Sequence, residues 1–213
     1  MLHPNTTLQY VDDRVGYGIF ATTCISKGTI TWAQDSLDQV FGSYAFGRLD
    51  AKCSALVTEY GWINGDGNHV MCWDFARFMN HSCQGSTFSP GLDFEIAIRD
   101  IEAGEQITTD YGSLNIEIPL SCSCESSCCR GVIHPQDFEA FADEWDALLR
   151  DAFPKIRKVE QPLWSWVNQK AAIEAGLRDT TAIPSIRVHR YRASAEPAYS
   201  ERPPASVTSA LVD

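Results

Sequence analysis

The chain has 213 residues, of which 44% are hydrophobic and 21% charged, and carries a net charge of −11 from 28 acidic and 17 basic residues. That is a globular composition, long enough for one domain with appendages. No apolar run approaches the roughly 20 residues of a membrane helix, which excludes a helical membrane protein, and the composition excludes a collagen-like or coiled-coil fibre.

The charge is uneven: residues 1–153 hold 22 acids and 8 bases (−14), and residues 154–213 hold 6 acids and 9 bases (+3). An acidic body repels nucleic-acid phosphates and attracts Lys/Arg-rich peptides. The same charge also serves simple solubility. Direct nucleic-acid binding and membrane attachment are not expected. The opening stretch MLHPNTTLQYVDD has neither a basic start nor an apolar run, so no secretory leader is expected there. Cytoplasm is the default compartment, with nuclear or secreted-effector destinations left open.

From Arg14 to Phe41 the pattern is of short strands broken by turns. Gly16–Ala21 leads into apolar residues, and Lys27-Gly28 turns the chain into Thr29–Trp32. Residues 42–70, interrupted by glycines, read as an insert of short helices and turns. Asp93–Arg99 alternates as a strand, and Ala103-Gly104-Glu105 turns into the β-branched run Gln106–Thr109. Between Pro135 and Phe153 the residues Phe138, Phe141, Trp145, Leu148, Leu149 and Ala152 recur at helical spacing. A second helix is predicted over Leu163–Ala175, stopped by Gly176. From Asp179 onward, Pro184, Pro197, Pro203 and Pro204 and a shortage of apolar residues predict a mostly disordered tail. The chain thus divides into a body over 1–113, a cysteine-rich segment over 114–133, a helical extension over 134–178 and a tail over 179–213. The fold class is mainly β (α+β).

Cys24, Cys53 and Cys72 stand singly among apolar neighbours and read as buried thiols. Cys122, Cys124, Cys128 and Cys129 fall within eight positions. In a chain with no sign of secretion that density points to metal rather than disulfides, with reduced structural thiols as the alternative.

Three further stretches carry chemistry. In Arg14–Ala21 (RVGYGIFA), Gly16 and Gly18 let the backbone approach a ligand closely. An ordinary turn has the same look, and no helix opens here as a phosphate loop requires. Arg77–Cys83 (RFMNHSC) sets an amide beside an imidazole; taken alone, His81 reads as a buried, hydrogen-bonded histidine rather than a catalyst. Gly104–Gly112 (GEQITTDYG) puts Tyr111 just after a strand, where an aromatic is by default a core or turn residue.

In this order, and followed by CSCESSCCRG at 122–131, these stretches resemble the SET-domain protein lysine methyltransferases over about Arg14 to Gly131. RFMNHSC and AIRDIEAGEQITTDYG match the two signature motifs of that family, and CSCESSCCRG matches its post-SET cysteine motif. The helical extension with Trp164 is similar to bacterial stand-alone members. The resemblance implies a SET-domain β-clip fold of small sheets with a pseudoknot, then a post-SET zinc segment and C-terminal helices. It also implies transfer of methyl groups from S-adenosylmethionine to the side-chain amine of lysine in a protein or peptide of basic character. A catalytically silent module that binds a basic partner is the rival; joint retention of Asn80, His81 and Tyr111 favours activity.

Carried over residue by residue, the resemblance puts Gly16, Tyr17 and Gly18 against S-adenosylmethionine through the backbone. Arg77, Phe78, Asn80 and His81 form the stretch that holds it, and Tyr111 is both a cofactor contact and the catalytic residue. Glu105 and Asp110 place the tyrosine loop. Cys83, Cys122, Cys124 and Cys129 supply four thiolates to a structural Zn2+, with Cys128 as the alternative to Cys129.

A lysine amine, with a pKa of about 10.4, must lose its proton to attack, and desolvation beside a sulfonium lowers that pKa. Tyr111, with an ordinary pKa of about 10, is a poor general base and would orient the amine instead. Tyr17, Trp73, Phe78 and Trp164 are candidate walls of the lysine channel, Trp164 reading first as a helix-docking residue. Thr109 stands two positions before the tyrosine, where members often carry Phe or Tyr; the small residue leaves room for higher methylation. Asp137, Glu139, Asp143, Glu144, Asp146 and Asp151 have only Arg150 as counter-charge in their own stretch. They form either a solvated helix face or a lure for a basic substrate.

Overall fold

The computed structural model describes residues 1–192. β1 (Thr6–Asp12) and β2 (Gly16–Ala21) make an antiparallel hairpin. Gly16 sits at its turn with φ +77°, a conformation that side-chain-bearing residues rarely adopt. β3 (Ile30–Ala33) is buried along its length. The insert follows: β4 (Gln39–Phe41), α1 (Ser43–Phe46), α2 (Ala51–Tyr60), β5 (Trp62–Ile63) and β6 (His69–Met71). α2 starts at Asp50, whose carboxylate accepts the amides of Lys52 and Cys53 at 2.9 and 2.8 Å. Next come β7 (Asn80–His81), β8 (Thr87–Phe88), β9 (Phe94–Ala97) and β10 (Gln106–Thr109). β11 (Leu120–Ser121) and β12 (Val132–Ile133) bracket the cysteine cluster. α3 (Asp137–Ala152) and α4 (Lys170–Arg178) complete the elements used below.

The strands form four small sheets, ordered β1-β2-β10-β7, β3-β9-β8, β4-β6-β5 and β11-β12. This is the mainly β, α+β architecture expected. One core lies under the first sheet, where Ile19, Ile101 and Ile107 are fully buried. A larger one joins β3 and β9 to the helical extension through Ile30, Phe94, Ile96, Phe138, Leu149 and Phe153. Each such side chain contributes about 1.5–3 kcal/mol by leaving water. None of the described helices is long and apolar enough to cross a membrane.

The structure departs from the sequence reading in four places. β1 was not expected: its TTLQYVD is largely polar, and it is held by pairing with β2 rather than by a buried face. Cys24 and Cys53 are exposed, and of the three single cysteines only Cys72 is buried; Cys53 lies in the solvated first turn of α2. The second helix begins at Lys170 rather than Leu163 and runs through Gly176 to Arg178. Gly176 serves packing there, since a Cβ would meet the Phe153 ring at 2.8 Å.

The fourth departure concerns the tail. Residues 179–192 are ordered: Ile183 and Ile186 are buried, and the Ile186 amide donates to Asp146 Oδ1 at 2.8 Å. Asn115 clamps the segment. Its Nδ2 donates to the Ile63 and His189 carbonyls at 2.8 and 2.7 Å, and its Oδ1 accepts the Tyr191 amide at 2.9 Å. Pro197, Pro203 and Pro204 lie outside the described residues.

Candidate active site

β10 is the hinge of the site. It pairs antiparallel with β2, Ile107 opposite Ile19, and parallel with β7, Thr108 opposite Asn80 and Thr109 opposite His81. The Ser82 and Ser86 amides donate to the Thr109 and Thr108 carbonyls at 3.0 and 2.8 Å, so the chain after β7 stays against β10. Adjacent strand residues point to opposite faces. Thr108 accordingly borders one cleft, of about 750 Å3, with His81, Ser82 and Cys83. Thr109 borders a second, of about 740 Å3, with Tyr60, Trp62 and Tyr111. The two clefts back onto the same strand pair.

The glycine turn meets this pair tightly. A Cβ on Gly18 would lie 2.2 Å from Gln106 Nε2 and 2.8 Å from Asn80 Nδ2. Asn80 Nδ2 donates to the Tyr17 carbonyl at 2.9 Å. Tyr17 is half-exposed and meets Phe78 edge-on at 6.1 Å, and Phe78 meets Tyr60 edge-on at 5.3 Å. Arg77 spends its guanidinium on the Trp73 and Asp74 carbonyls at 3.0 and 3.2 Å.

His81 and Tyr111 are coupled. His81 Nδ1 accepts the Tyr111 amide at 3.1 Å, which assigns the ring proton to Nε2, 3.3 Å from Cys83 Sγ. Burial, reinforced by the Arg130 guanidinium, pushes the His81 pKa down to about 4, so the ring is neutral. The Tyr111 hydroxyl donates to the Met79 carbonyl at 2.8 Å, and burial pushes its pKa up to about 12. Asp110 starts the tyrosine turn by accepting the Gly112 amide at 2.9 Å; burial raises its carboxyl pKa against the pull of Arg130. Glu105 fixes the turn before β10 through an ion pair with Arg99 at 2.6 Å and by accepting the Glu102 amide at 2.9 Å.

The cysteine segment closes over the first cleft. Cys83 and Cys122 sulfurs lie 3.8 Å apart, Cys122 and Cys129 3.6 Å, and the Cys83 amide donates to Cys124 Sγ at 3.4 Å. A tetrahedral site with Zn–S bonds of about 2.3 Å has sulfurs roughly 3.8 Å apart, so these thiols fit zinc. Donor atoms of His81, Cys83, Cys122 and Cys124 all lie within 4.8 Å of one another, a set that holds the histidine where Cys129 was expected, the Cys129 sulfur lying against Cys122 outside it. Cys128 is exposed, its sulfur 4.0 Å from the Cys83 carbonyl.

Several participants were not anticipated. Arg130 binds Asp110, reaches Asp137 at 3.4 Å, stacks on Phe141 at 4.8 Å and gives its amide to Cys83 Sγ at 3.4 Å. It ties the cysteine segment to the tyrosine turn and to α3; its place in the Cys-Arg-Gly string was the available signal. The aromatic side chains that border the second cleft with Tyr111 are Tyr60 and Trp62, from the insert, and Trp32 of β3. Trp73 is 40% exposed with its indole donating to Asp35 at 3.1 Å, and Trp164 packs on the helical core, so docking is its role. Tyr17 and Phe78 border neither cleft. The acids of α3 are not a free lure: Asp137 pairs with Arg130, Asp143 and Glu139 with Arg187 at 2.8 and 3.6 Å, and Asp151 with Lys27. Asp146 is buried beneath Ile186, and Glu144 borders the first cleft.

The family model for the SET domain matches residues 16–112. The chain is 38% identical to histone-lysine N-methyltransferase SUVR3 of Arabidopsis thaliana over 33% of this chain and 24% of that protein. It is 30% identical to a SET domain-containing protein of Phaeosphaeria nodorum over 53% of this chain and 18% of that one. It is 34% identical to human histone-lysine N-methyltransferase SETD1B over 30% and 4%. The matched parts are thus a quarter or less of these relatives' length. Among solved structures, the methyltransferase domain of human SETMAR is similar at a TM-score of 0.42 and 16% identity, covering 62% of this chain and 58% of that one. The stretch that matches the SET-domain model runs from β2 to the tyrosine turn.

Proposed function

We propose that this protein is a protein-lysine N-methyltransferase that uses S-adenosylmethionine, with a structural zinc on Cys83, Cys122, Cys124 and Cys129. The observation that carries the reading is the pair of clefts meeting at β7 and β10, with the His81 ring serving one and, through its Nδ1, fixing the Tyr111 turn in the other.

When bound, S-adenosylmethionine supplies a methyl group on a positively charged sulfur. The cofactor's place is the first cleft, bordered by His81 and by Arg14 and Val15 of the glycine turn. Gly16, Tyr17, Gly18 and Asn80 do not themselves border it, Asn80 Nδ2 instead holding the Tyr17 carbonyl, and Tyr111 borders the second cleft. Phe78 backs Tyr17, and Arg77 stiffens the turn before Asn80. The cysteine segment, pinned by Arg130, keeps water out.

The substrate lysine enters the second cleft between Tyr60, Trp62 and Tyr111. Its amine, with a pKa of about 10.4 in water, loses hydration there, which favours the neutral, nucleophilic form. Because the Tyr111 hydroxyl gives its proton to the Met79 carbonyl, its oxygen lone pairs are left to accept an N–H from that amine. The accepted bond turns the nitrogen lone pair toward the first cleft, and orientation of this kind supplies much of the rate. With a pKa of about 12, Tyr111 remains a phenol and is not the base. Thr109, small and buried at the cleft wall, leaves room for an amine that already carries methyl groups.

The test is calorimetric titration with S-adenosylmethionine, wild type against Asn80→Ala, with zinc content measured alongside. Binding that is lost in the variant, with one zinc per chain, is the expected result. A folded, zinc-loaded wild type that does not bind would count against the enzyme and for a silent peptide-binding module.

A further inference from the structure

The second cleft holds a pair of groups that methyl transfer leaves unused. Trp32 on β3 and Glu95 on β9 stand opposite each other in the antiparallel register, so their side chains leave the same face of the sheet. Both border the second cleft, together with Tyr111. The Trp32 indole Nε1 and the Glu95 Oε2 are each shut off from solvent and have no hydrogen-bond partner among the described residues. Two buried polar atoms left without partners on paired strand residues are unusual in a folded chain, because such groups are normally paired. Burial pushes the Glu95 carboxyl up to about 7, while the Thr87 hydroxyl pulls it back.

The surroundings have one sign. Glu59, Asp66, Asp93 and Glu117 border the cleft with Glu95, against the single arginine Arg77. None of these five acids is in an ion pair among the described residues. Arg77 is committed to backbone carbonyls. A cation entering here meets a low-dielectric pocket in which a carboxylate attracts it more strongly than water would allow.

We propose that Trp32 and Glu95 form a specificity pocket for a basic side chain, arginine or lysine, that flanks the methylated lysine in the substrate. The Glu95 carboxylate takes the cation, and the Trp32 indole N–H donates to a backbone carbonyl of the same peptide. The identity of the neighbouring lysine rests on the methyltransferase reading; the pocket itself rests on the two unpaired groups.

The experiment uses the full chain and a randomised peptide library with one fixed lysine, scored both for methyl incorporation from S-adenosylmethionine and for equilibrium binding. Wild type is expected to enrich Arg or Lys at one flanking position by about tenfold, the scale of one hydrogen bond to a charged group. Glu95→Gln is expected to lose that enrichment while still binding S-adenosylmethionine. Trp32→Phe, which keeps the ring and removes the N–H, is expected to weaken binding of the same peptides and provides a second arm should Glu95→Gln fail to fold. Enrichment that persists in Glu95→Gln, a uniform drop on all peptides with the preference unchanged, or no basic preference in wild type would each overturn the pocket. Arg- or Lys-dependent binding without methyl incorporation would uphold the pocket and overturn the methyltransferase reading.

Discussion

The backbone amide of Tyr111 donates to Nδ1 of His81 at 3.1 Å, so one imidazole belongs to the first cleft and sets the turn that carries the tyrosine of the second. The neighbouring Asp110 is held by Arg130, whose own amide reaches Cys83 Sγ. The cysteine segment, the histidine and the tyrosine therefore form one connected unit, and damage to any of them should be felt by the others.

Tyr111→Phe removes the hydroxyl that meets the Met79 carbonyl and, in the proposed mechanism, the amine. We expect turnover to fall by about 10²-fold or more, the usual scale for losing one positioned polar group at a reacting centre, with stability changed by only about 1 kcal/mol. Cofactor titration should be nearly unchanged. Equal loss of cofactor affinity and turnover would mean that the tyrosine serves the fold instead.

Gly18→Ala places a methyl group on Gln106 Nε2 and Asn80 Nδ2. Both are side-chain ends that can move, so the stability cost should be about 1 kcal/mol. Asn80 must then give up the Tyr17 carbonyl, and cofactor affinity should fall by about tenfold. Thermal melting and calorimetry on the same sample separate the two effects.

Zinc removal by a strong chelator should lower thermal stability and abolish cofactor binding together, because Arg130 loses its anchor at Cys83. Cys124→Ser and Cys129→Ser should each lose the metal, whereas Cys128→Ser should retain about one zinc per chain. Retention by Cys129→Ser with loss in His81→Ala would assign the fourth ligand to the histidine that lies in the same cluster.

The charge of Glu95 should be visible in stability against pH. Its carboxyl is raised from 4.5 to about 7 in the folded chain. The folded state therefore prefers the protonated form, and the contribution of this group is fully present below about pH 4.5 and is lost as pH rises through 7. Glu95→Gln should thus match wild type near pH 4.5 and exceed it above pH 8 by on the order of 2 kcal/mol. Denaturant melts at the two values check this, and an equal difference at both would contradict it.

What was legible in the sequence was local chemistry. The strands on either side of Lys27-Gly28, the helix over Asp137–Ala152 and the insert follow from period and turn residues within short windows. The SET motifs were visible as strings because Gly18, Asn80, His81 and Tyr111 are each confined to one residue type by a close approach or a specific hydrogen bond. What stayed hidden depends on long-range pairing. β1 is polar and exists because β2 lies beside it. The segment 179–192 looks structureless until Asn115 and Asp146, far away in sequence, supply its hydrogen bonds. Tyr60 and Trp62 become cleft walls only once the insert folds back beside Tyr111, and the stranded carboxylate of Glu95 is an ordinary strand residue until Trp32 stands opposite. The acids of α3 looked unpaired for the same reason, since Arg187, Arg190 and Arg192 arrive from the far end of the described chain.

The most direct measurement of the central claim is transfer of labelled methyl from S-adenosylmethionine to lysine in the fixed-lysine peptide library, followed by acid hydrolysis and separation of the amino acids. The account requires label in methylated lysine with wild type and its near-complete loss with Tyr111→Phe. A wild-type protein that is folded, zinc-loaded and bound to S-adenosylmethionine, yet leaves lysine unlabelled across the library, would contradict it.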